Sequence, residues 1–341
     1  MKHISAVIPS HSMNNWDILG QGIILGENEY RVTFHRDPRM SIMHGKVNFN
    51  FDIIVNDGLL TIDDMKVENL VPVNRIHTIR RYNKVEQQTR LLARVAFERE
   101  SDEDRDLFKN FVPVVMHHQR QSSGATLLVN PTDKVVVKPL DGARGIGQFL
   151  IDPTVIPLSV IVDLLDTFRR DQITREDVLK KLHKFDPQLK YATAGEKYEG
   201  EGFDAIKSQG FCVQDHINNI KSEYRLITGH NGEIVYCQRR SIRSQTEDGF
   251  RQATGSETNS AKGTDIMSIN DVLSADDREA LLELTTTVIG PLSSIDLFIT
   301  MDNKWGIFEY CNQFGIKGVP PKLVEKMHAD MLMKMIRTAG L

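Results

Sequence analysis

The sequence predicts an α+β fold, and three observations carry that expectation. Apolar runs bounded by the turn residues Asn231-Gly232 and Asp302-Asn303-Lys304 have the pattern of antiparallel hairpins. Residues 83–99 place Val85, Leu91, Leu92, Val95 and Ala96 at the spacing of an amphipathic helix. The stretch Val135 to Gly147, VVVKPLDGARGIG, reads as a buried strand, a lysine at its end, and a tight loop holding Gly142, Gly145 and Gly147. With 341 residues the chain can fill two or three modest cores, so a cleft between domains is available as a binding site.

The elements follow in order. Apolar runs at residues 4–8, 30–34 and 51–55, the last ahead of Asn56-Asp57-Gly58, predict a small strand-rich N-terminal domain over residues 1–83. The helix at 83–99 gives way to a polar stretch at 100–106. Beyond the glycine loop, residues 148–151 are strand-like again, and 158–184 divide into two helices, the second opening at Thr174-Arg175-Glu176-Asp177. Residues 185–210, rich in Gly, Lys and Glu and weak in periodicity, read as an insertion or a lid. Strands are expected at 211–217, 224–228 and 233–237, a polar active-site loop at 250–264, a helix at 276–288, paired strands at 295–300 and 305–311, and a closing helix at 322–337. This organises the remainder into a smaller lobe, 84–225, and a larger lobe, 226–341.

Composition narrows the function classes. A formal net charge of −4, with both signs mixed along the chain, calls for neither a nucleic-acid nor a membrane partner. One basic run, Arg75, His77, Arg80, Arg81 and Lys84, is better read as a solvated face or part of a ligand approach. Cys212, Cys237 and Cys311 each sit in a strand-like run without CxxC spacing and read as buried thiols of a reducing compartment. The N-terminal apolar run is too short for a signal peptide, and no segment approaches a membrane span, so a cytoplasmic protein is expected. His117 and His118, adjacent on a strand, point apart and make a poor metal pair.

The glycine loop gives the first chemical signal. Glycine permits positive φ and lets backbone N–H groups approach a polyanion, while Lys138 supplies countercharge. Neither GxxxxGK[ST] nor GxGxxG opening a helix is present. The strand on its far side makes it a β-hairpin over phosphate, or equally an ordinary tight hairpin. Asp296, Glu309 and Asn312 offer oxygen ligands from neighbouring strands, suited to Mg²⁺ when phosphates complete its shell; as edge-exposed acids they would need no metal. Arg239 and Arg240 end another strand, where they could neutralise a phosphoryl group or lie solvated. Gln214, Asp215, His216 and Ile217 end a buried strand whose backbone could read an adenine edge, with Glu223 and Arg225 close behind.

In this order the residues resemble the ATP-grasp superfamily, and especially its ribosomal-protein glutamate ligase and glutathione synthetase-like branch, over about residues 71–315. The resemblance implies two α/β lobes clasping ATP. It implies that Lys84, after Pro72-Val73-Asn74 and Asn83, is the first nucleotide lysine and Lys138 the second, with Gly142 to Gly147 closing over the β- and γ-phosphates. It gives Gln214 to Ile217 the adenine hinge, Glu223 the ribose hydroxyls, Arg225 the arginine that follows, Arg239-Arg240 and Asn259 the transferred phosphoryl group, and Asp296 and Glu309 two Mg²⁺ ions.

One position departs from the pattern. The family places asparagine two residues after the bridging glutamate; here Cys311 stands there and Asn312 follows, so a bulge between Glu309 and Asn312 is expected to re-aim the asparagine. The interval between glycine loop and hinge is also longer than in that branch.

The implied activity is an ATP-dependent carboxylate–amine ligase: a carboxylate takes the γ-phosphoryl group, and an amine of an amino acid, a peptide or a small acceptor displaces phosphate to form an amide. Its rivals are an ATP-grasp kinase or carboxylase-like enzyme, and a nucleotide-binding regulatory or interaction module without turnover. A homo-oligomer is compatible with either.

Overall fold

The computed structural model describes residues 2–7, 22–25, 28–35, 53–56, 76–78, 82–101, 106–120, 126–128, 133–140, 147–189, 191–192, 201–217, 219–240, 266–311 and a few positions between 319 and 330; several, including the strands before residue 82 and residues 117–120, are described as backbone alone. The α+β expectation holds in three separate sheets. Strands β1 (Lys2–Val7), β2 (Gly22–Leu25), β3 (Asn28–His35), β4 (Ile53–Asn56) and β5 (Ile76–Thr78) form the first, in the order β2-β3-β1-β4-β5. β1 runs parallel to β3 and β4, and β4 parallel to β5. Apolar runs in the sequence marked β1, β3 and β4 but not β2 or β5, and the parallel pairing depends on crossovers that have no local signal.

Helix α1 (Lys84–Ser101) starts at a capping box: Asn83 Oδ1 accepts from the Glu86 N–H at 3.0 Å, and the Glu86 carboxylate accepts from the Asn83 N–H at 3.0 Å. A cap of this kind is worth about 1 kcal/mol. It also fixes Lys84 at the first helical position.

The second sheet takes the order β10-β9-β8-β11-β6-β7, with every pairing antiparallel. It consists of β6 (Met116–Arg120), β7 (Thr126–Leu128), β8 (Val135–Pro139), β9 (Gln148–Ile151), β10 (Tyr191–Ala192) and β11 (Phe211–Asp215). Helices α2 (Leu158–Arg169), α3 (Arg175–Phe185) and α4 (Glu201–Gln209) contribute to its core. Side chains alternate: Val135, Val137, Phe149, Ile151, Phe211 and Val213 join Ile161, Leu165, Leu182, Phe203 and Ile206 in one core, which leaves Val136, Lys138, Leu150, Cys212 and Gln214 on the opposite face. Thr174 caps α3 in the expected box with Asp177. Within the expected insertion or lid at 185–210, β10 extends the sheet and α4 buries Phe203 and Ile206 in this core, so these parts are packed rather than free. The periodicity was missed because only one turn of α4 is apolar.

The third sheet, β13-β12-β14-β15, is also antiparallel; it contains β12 (Ile220–Thr228), β13 (Ile234–Arg240), β14 (Ser294–Thr300) and β15 (Trp305–Cys311). Tyr224, Leu226, Cys237, Ile295, Leu297, Ile299, Trp305, Ile307 and Tyr310 share a core with Leu91 and Val95 of α1 and with Ala280, Leu281 and Leu284 of helix α5 (Ala275–Leu284). The expected helix at 276–288 ends in a π turn at Thr285–Ile289. A lobe boundary at residue 225 would cut the continuous strand β12, and α1 shares its core with the third sheet rather than the second. The 250–264 loop and most of the 322–337 helix lie outside the described residues.

Candidate functional site

The polar face of the third sheet is set by a bulge. Leu297 pairs with Ile307 but Asp296 pairs with Glu309, so Phe308 has no residue opposite it. Residues two apart on a strand normally share a face; the extra residue breaks that rule. Trp305 and Ile307 therefore point into the core, whereas Glu309 points the other way, beside Asp296. The bulge precedes Glu309. The expected bulge between Glu309 and Asn312 is not found as far as Cys311, since Ile295–Tyr310 and Ser294–Cys311 pair regularly, and Asn312 lies outside the described residues. Cys311 thus shares the Glu309 face and is exposed, which corrects its reading as a buried thiol; Cys212 and Cys237 are buried as expected.

Around these carboxylates the chain gathers cations from four elements. Arg225, directly opposite Asp296, donates from Nη2 to Asp296 Oδ1 at 2.9 Å and from Nε to the same oxygen at 3.1 Å. Arg240 Nη1 lies 3.0 Å from Asp296 Oδ2. Lys84 Nζ lies 3.7 Å from Glu309 Oε2 and donates to the Pro139 carbonyl at 3.2 Å, tying α1 to the end of β8. Burial, together with the nearby Lys84 ammonium, pulls the Lys138 pKa below the ordinary lysine value, against the opposing pull of Glu309 and Asp296. Burial also disfavours the Arg225 cation, but Asp296 outweighs it and the guanidinium is held more firmly protonated than usual.

Glu223, buried, lies opposite Arg240 on the same face. Four cationic side chains and three carboxylates therefore share the space between the two antiparallel sheets. Arg239 does not join them: it pairs with Tyr224, whose side chain enters the core behind the sheet, and it is exposed.

The hinge residues follow β11. The Asp215 N–H donates to the Val115 carbonyl and the His216 N–H to the Lys134 carbonyl, each at 3.0 Å, leaving the Ile217 N–H without a partner among the described residues. Gln214 is buried on the Lys138 face, and its Oε1 likewise finds no partner among the described residues. A cavity of about 300 Å³ opens beside the hinge, lined by Asp215, His216, Ile217 and Asn219 and by Thr300, Asp302 and Lys304 at the tip of the β14–β15 hairpin. It lies apart from the ion pairs, at the other end of β14 from Asp296.

Gly147 has φ of +77°, and a Cβ there would come within 2.7 Å of the Gly202 backbone, so close approach to α4 by itself requires glycine. Gly142, Gly145 and Asn259 lie outside the described residues. Gln87 and Gln88 were missed by the sequence reading. They are buried on α1 and bond β15, yet a glutamine pair in a charged helix reads as a solvated face.

The donor set suits magnesium. Asp296 and Glu309 are hard oxygen donors facing each other across one strand pair, and Mg²⁺ takes one or two carboxylates when phosphate oxygens complete its octahedron. Among the described residues no group of three or more His, Cys, Asp or Glu side chains could hold a metal by itself. No helix among them is long and apolar enough to cross a membrane.

No protein-family model matches the chain, and no curated protein matches it. Among solved structures it is similar to a D-cycloserine synthetase, at 10% identity over 98% of this chain and 99% of that one, with a TM-score of 0.47. It is also similar to the D-alanine–D-alanine ligase from Bacillus anthracis complexed with ATP, at 9% identity, 99% and 96% coverage and a TM-score of 0.45. A third is the N5-carboxyaminoimidazole synthetase from Staphylococcus aureus complexed with ADP, at 12% identity, 98% and 77% coverage and a TM-score of 0.43. Likenesses this distant identify neither a family nor an activity.

Proposed function

We propose that the chain has the ATP-grasp architecture and is an ATP-dependent carboxylate–amine ligase whose cleft binds ATP with magnesium between the second and third sheets. One observation carries this reading: Lys84 of α1, Lys138 of the second sheet and Arg225, Arg240, Asp296 and Glu309 of the third, scattered over more than two hundred positions, meet in one charged cluster. In the free protein the cations and carboxylates neutralise one another. A magnesium triphosphate can replace those contacts with matching charges, its metal against Asp296 and Glu309 and its phosphate oxygens against the lysines and arginines.

The base would lie toward the hinge. An adenine edge needs one donor and one acceptor; the unpartnered Ile217 N–H would supply the donor, and a hinge carbonyl the acceptor. Glu223, between hinge and ion pairs, is placed for the ribose hydroxyls.

Magnesium, when bound, would offset charge on the transferring phosphoryl group. The chain's own residues would hold the reactants in line. Lys84 and Lys138 fix the phosphates, and Arg240, on the cleft face where Arg239 is not, follows the moving group. A substrate carboxylate oxygen attacks the γ-phosphorus, breaking its bond to the β-phosphate oxygen and releasing ADP. An amine then attacks the acyl carbon, phosphate leaves, and the amine proton is lost as the amide forms. Burial around Lys138 limits water that would hydrolyse the acylphosphate.

The test is to incubate the protein with ATP, magnesium and panels of carboxylates and amines, with hydroxylamine as the trap. Substrate-dependent ADP and phosphate release with a trapped hydroxamate is expected. Cys311 on the metal face favours a second reading, a nucleotide-binding module without turnover, because a thiol is a poor magnesium ligand. Nucleotide binding with no ADP release for any pair would select it.

A further inference from the structure

The side-chain amide of Gln88 lies where the facing of Glu309 is decided. Gln88 is 1% exposed, on α1 one turn beyond Lys84, and its Nε2 donates to the carbonyls of both Ile307 and Phe308 at 2.9 Å. These are the two carbonyls of the bulge. Neighbouring Gln87 accepts from the Tyr310 N–H at 3.0 Å, just past Glu309, and donates to the Tyr82 carbonyl at 2.7 Å. Two amides from one helix turn therefore bracket Glu309 on both sides. The Gln88 Oε1 is buried without a partner among the described residues. Turning the amide over would pair none of the three oxygens, so the bulge carbonyls dictate its orientation.

We propose that Gln88 is a positioning residue for the metal site: by clamping the Phe308 bulge it keeps Glu309 on the cleft face beside Asp296 and in step with Lys84. The proposal rests on the reading of Asp296 and Glu309 as magnesium ligands. Its physical basis is strand parity, since a β15 without the extra residue would turn the Glu309 position toward the core that receives Ile307. In a regular strand consecutive carbonyls point to opposite edges; in the bulge these two converge on one donor. Because Lys84 and Gln88 share a helix face, the lysine, the clamp and the carboxylate move as one unit.

The test measures binding of a non-hydrolysable ATP analogue to the full chain by calorimetry over a magnesium titration. Gln88→Met keeps length and helix propensity but removes the amide. We expect the magnesium midpoint to rise roughly 10- to 100-fold, the usual effect of losing a group that orients a metal ligand, while binding without magnesium is retained. Leu91→Ala, which loosens the same helix but leaves the Gln88 amide in place, is expected to lower the melting temperature and leave the midpoint where it was. An unmoved midpoint in Gln88→Met, with a melting loss like that of Leu91→Ala, overturns the clamp. Should Gln88→Met not fold, Gln88→Asn, whose amide is one methylene too short to reach both carbonyls, decides by the same criterion. Wild-type binding that ignores magnesium is a different result: it overturns the metal-site reading and takes the clamp with it.

Discussion

Lys84 and Glu309, 225 positions apart in sequence, are brought to within 3.7 Å because a helix cap fixes one and a strand bulge turns the other. An ammonium at that distance supplies the carboxylate with a counter-charge. The free cleft is thereby held together by its own charges, and ligand binding exchanges these pairs rather than opening empty space.

That exchange predicts the effect of Asp296→Ala. Arg225 and Arg240 would lose their shared partner, and a partly buried cation without its counter-ion is costly, so stability should fall by about 1–3 kcal/mol. Magnesium-dependent nucleotide binding should vanish. Denaturant melts with and without magnesium and nucleotide check both, and a variant as stable as wild type would contradict the buried pairing.

Lys138 gives a pH prediction. Its pKa in the free protein is lowered by burial and by Lys84, and a bound triphosphate raises it again by placing negative charge alongside. Above the lowered value the free lysine is partly neutral and the bound one charged, so binding takes up protons, increasingly as pH rises from neutral toward the ordinary lysine range. Calorimetry in two buffers of different ionisation enthalpy measures that uptake. Lys138→Met should abolish it; proton release would reverse the sign and refute the assignment.

The three thiols should separate by reactivity. Cys311 is exposed on the cleft face, whereas burial pushes the Cys237 thiol up to about 12 and Cys212 is buried. One fast-reacting thiol equivalent is expected in the folded protein, slowed by magnesium nucleotide and missing from Cys311→Ser. Equal reaction of all three would contradict the burial of Cys212 and Cys237.

Gly147→Ala should destabilise by about 1–3 kcal/mol, because the new methyl meets the Gly202 backbone, which cannot yield, and φ is positive. A thermal melt checks this. If nucleotide affinity falls and stability does not, the glycine serves the ligand alone.

The sequence made visible whatever is local. Hairpins at Asn231-Gly232 and Asp302-Asn303-Lys304, the helix start at Thr174, and the strands bearing Asp296 and Glu309 follow from turn chemistry and alternation. Hidden from it was whatever depends on a partner far along the chain. Arg239 and Arg240 look equivalent until β12 shows which of them shares a face with Glu223. A bulge was expected near Glu309, but after it, because only the pairing with β14 reveals that Phe308 is the extra residue. Gln88 carried no signal at all, since its value lies in two carbonyls some 220 positions away.

Calorimetric titration of ATP into the protein with and without magnesium tests the account most directly. Saturable one-to-one binding that magnesium strengthens, and that Lys138→Met or Glu309→Ala weakens, is the predicted result. No heat from ATP in the presence of magnesium, with the protein folded, would contradict it.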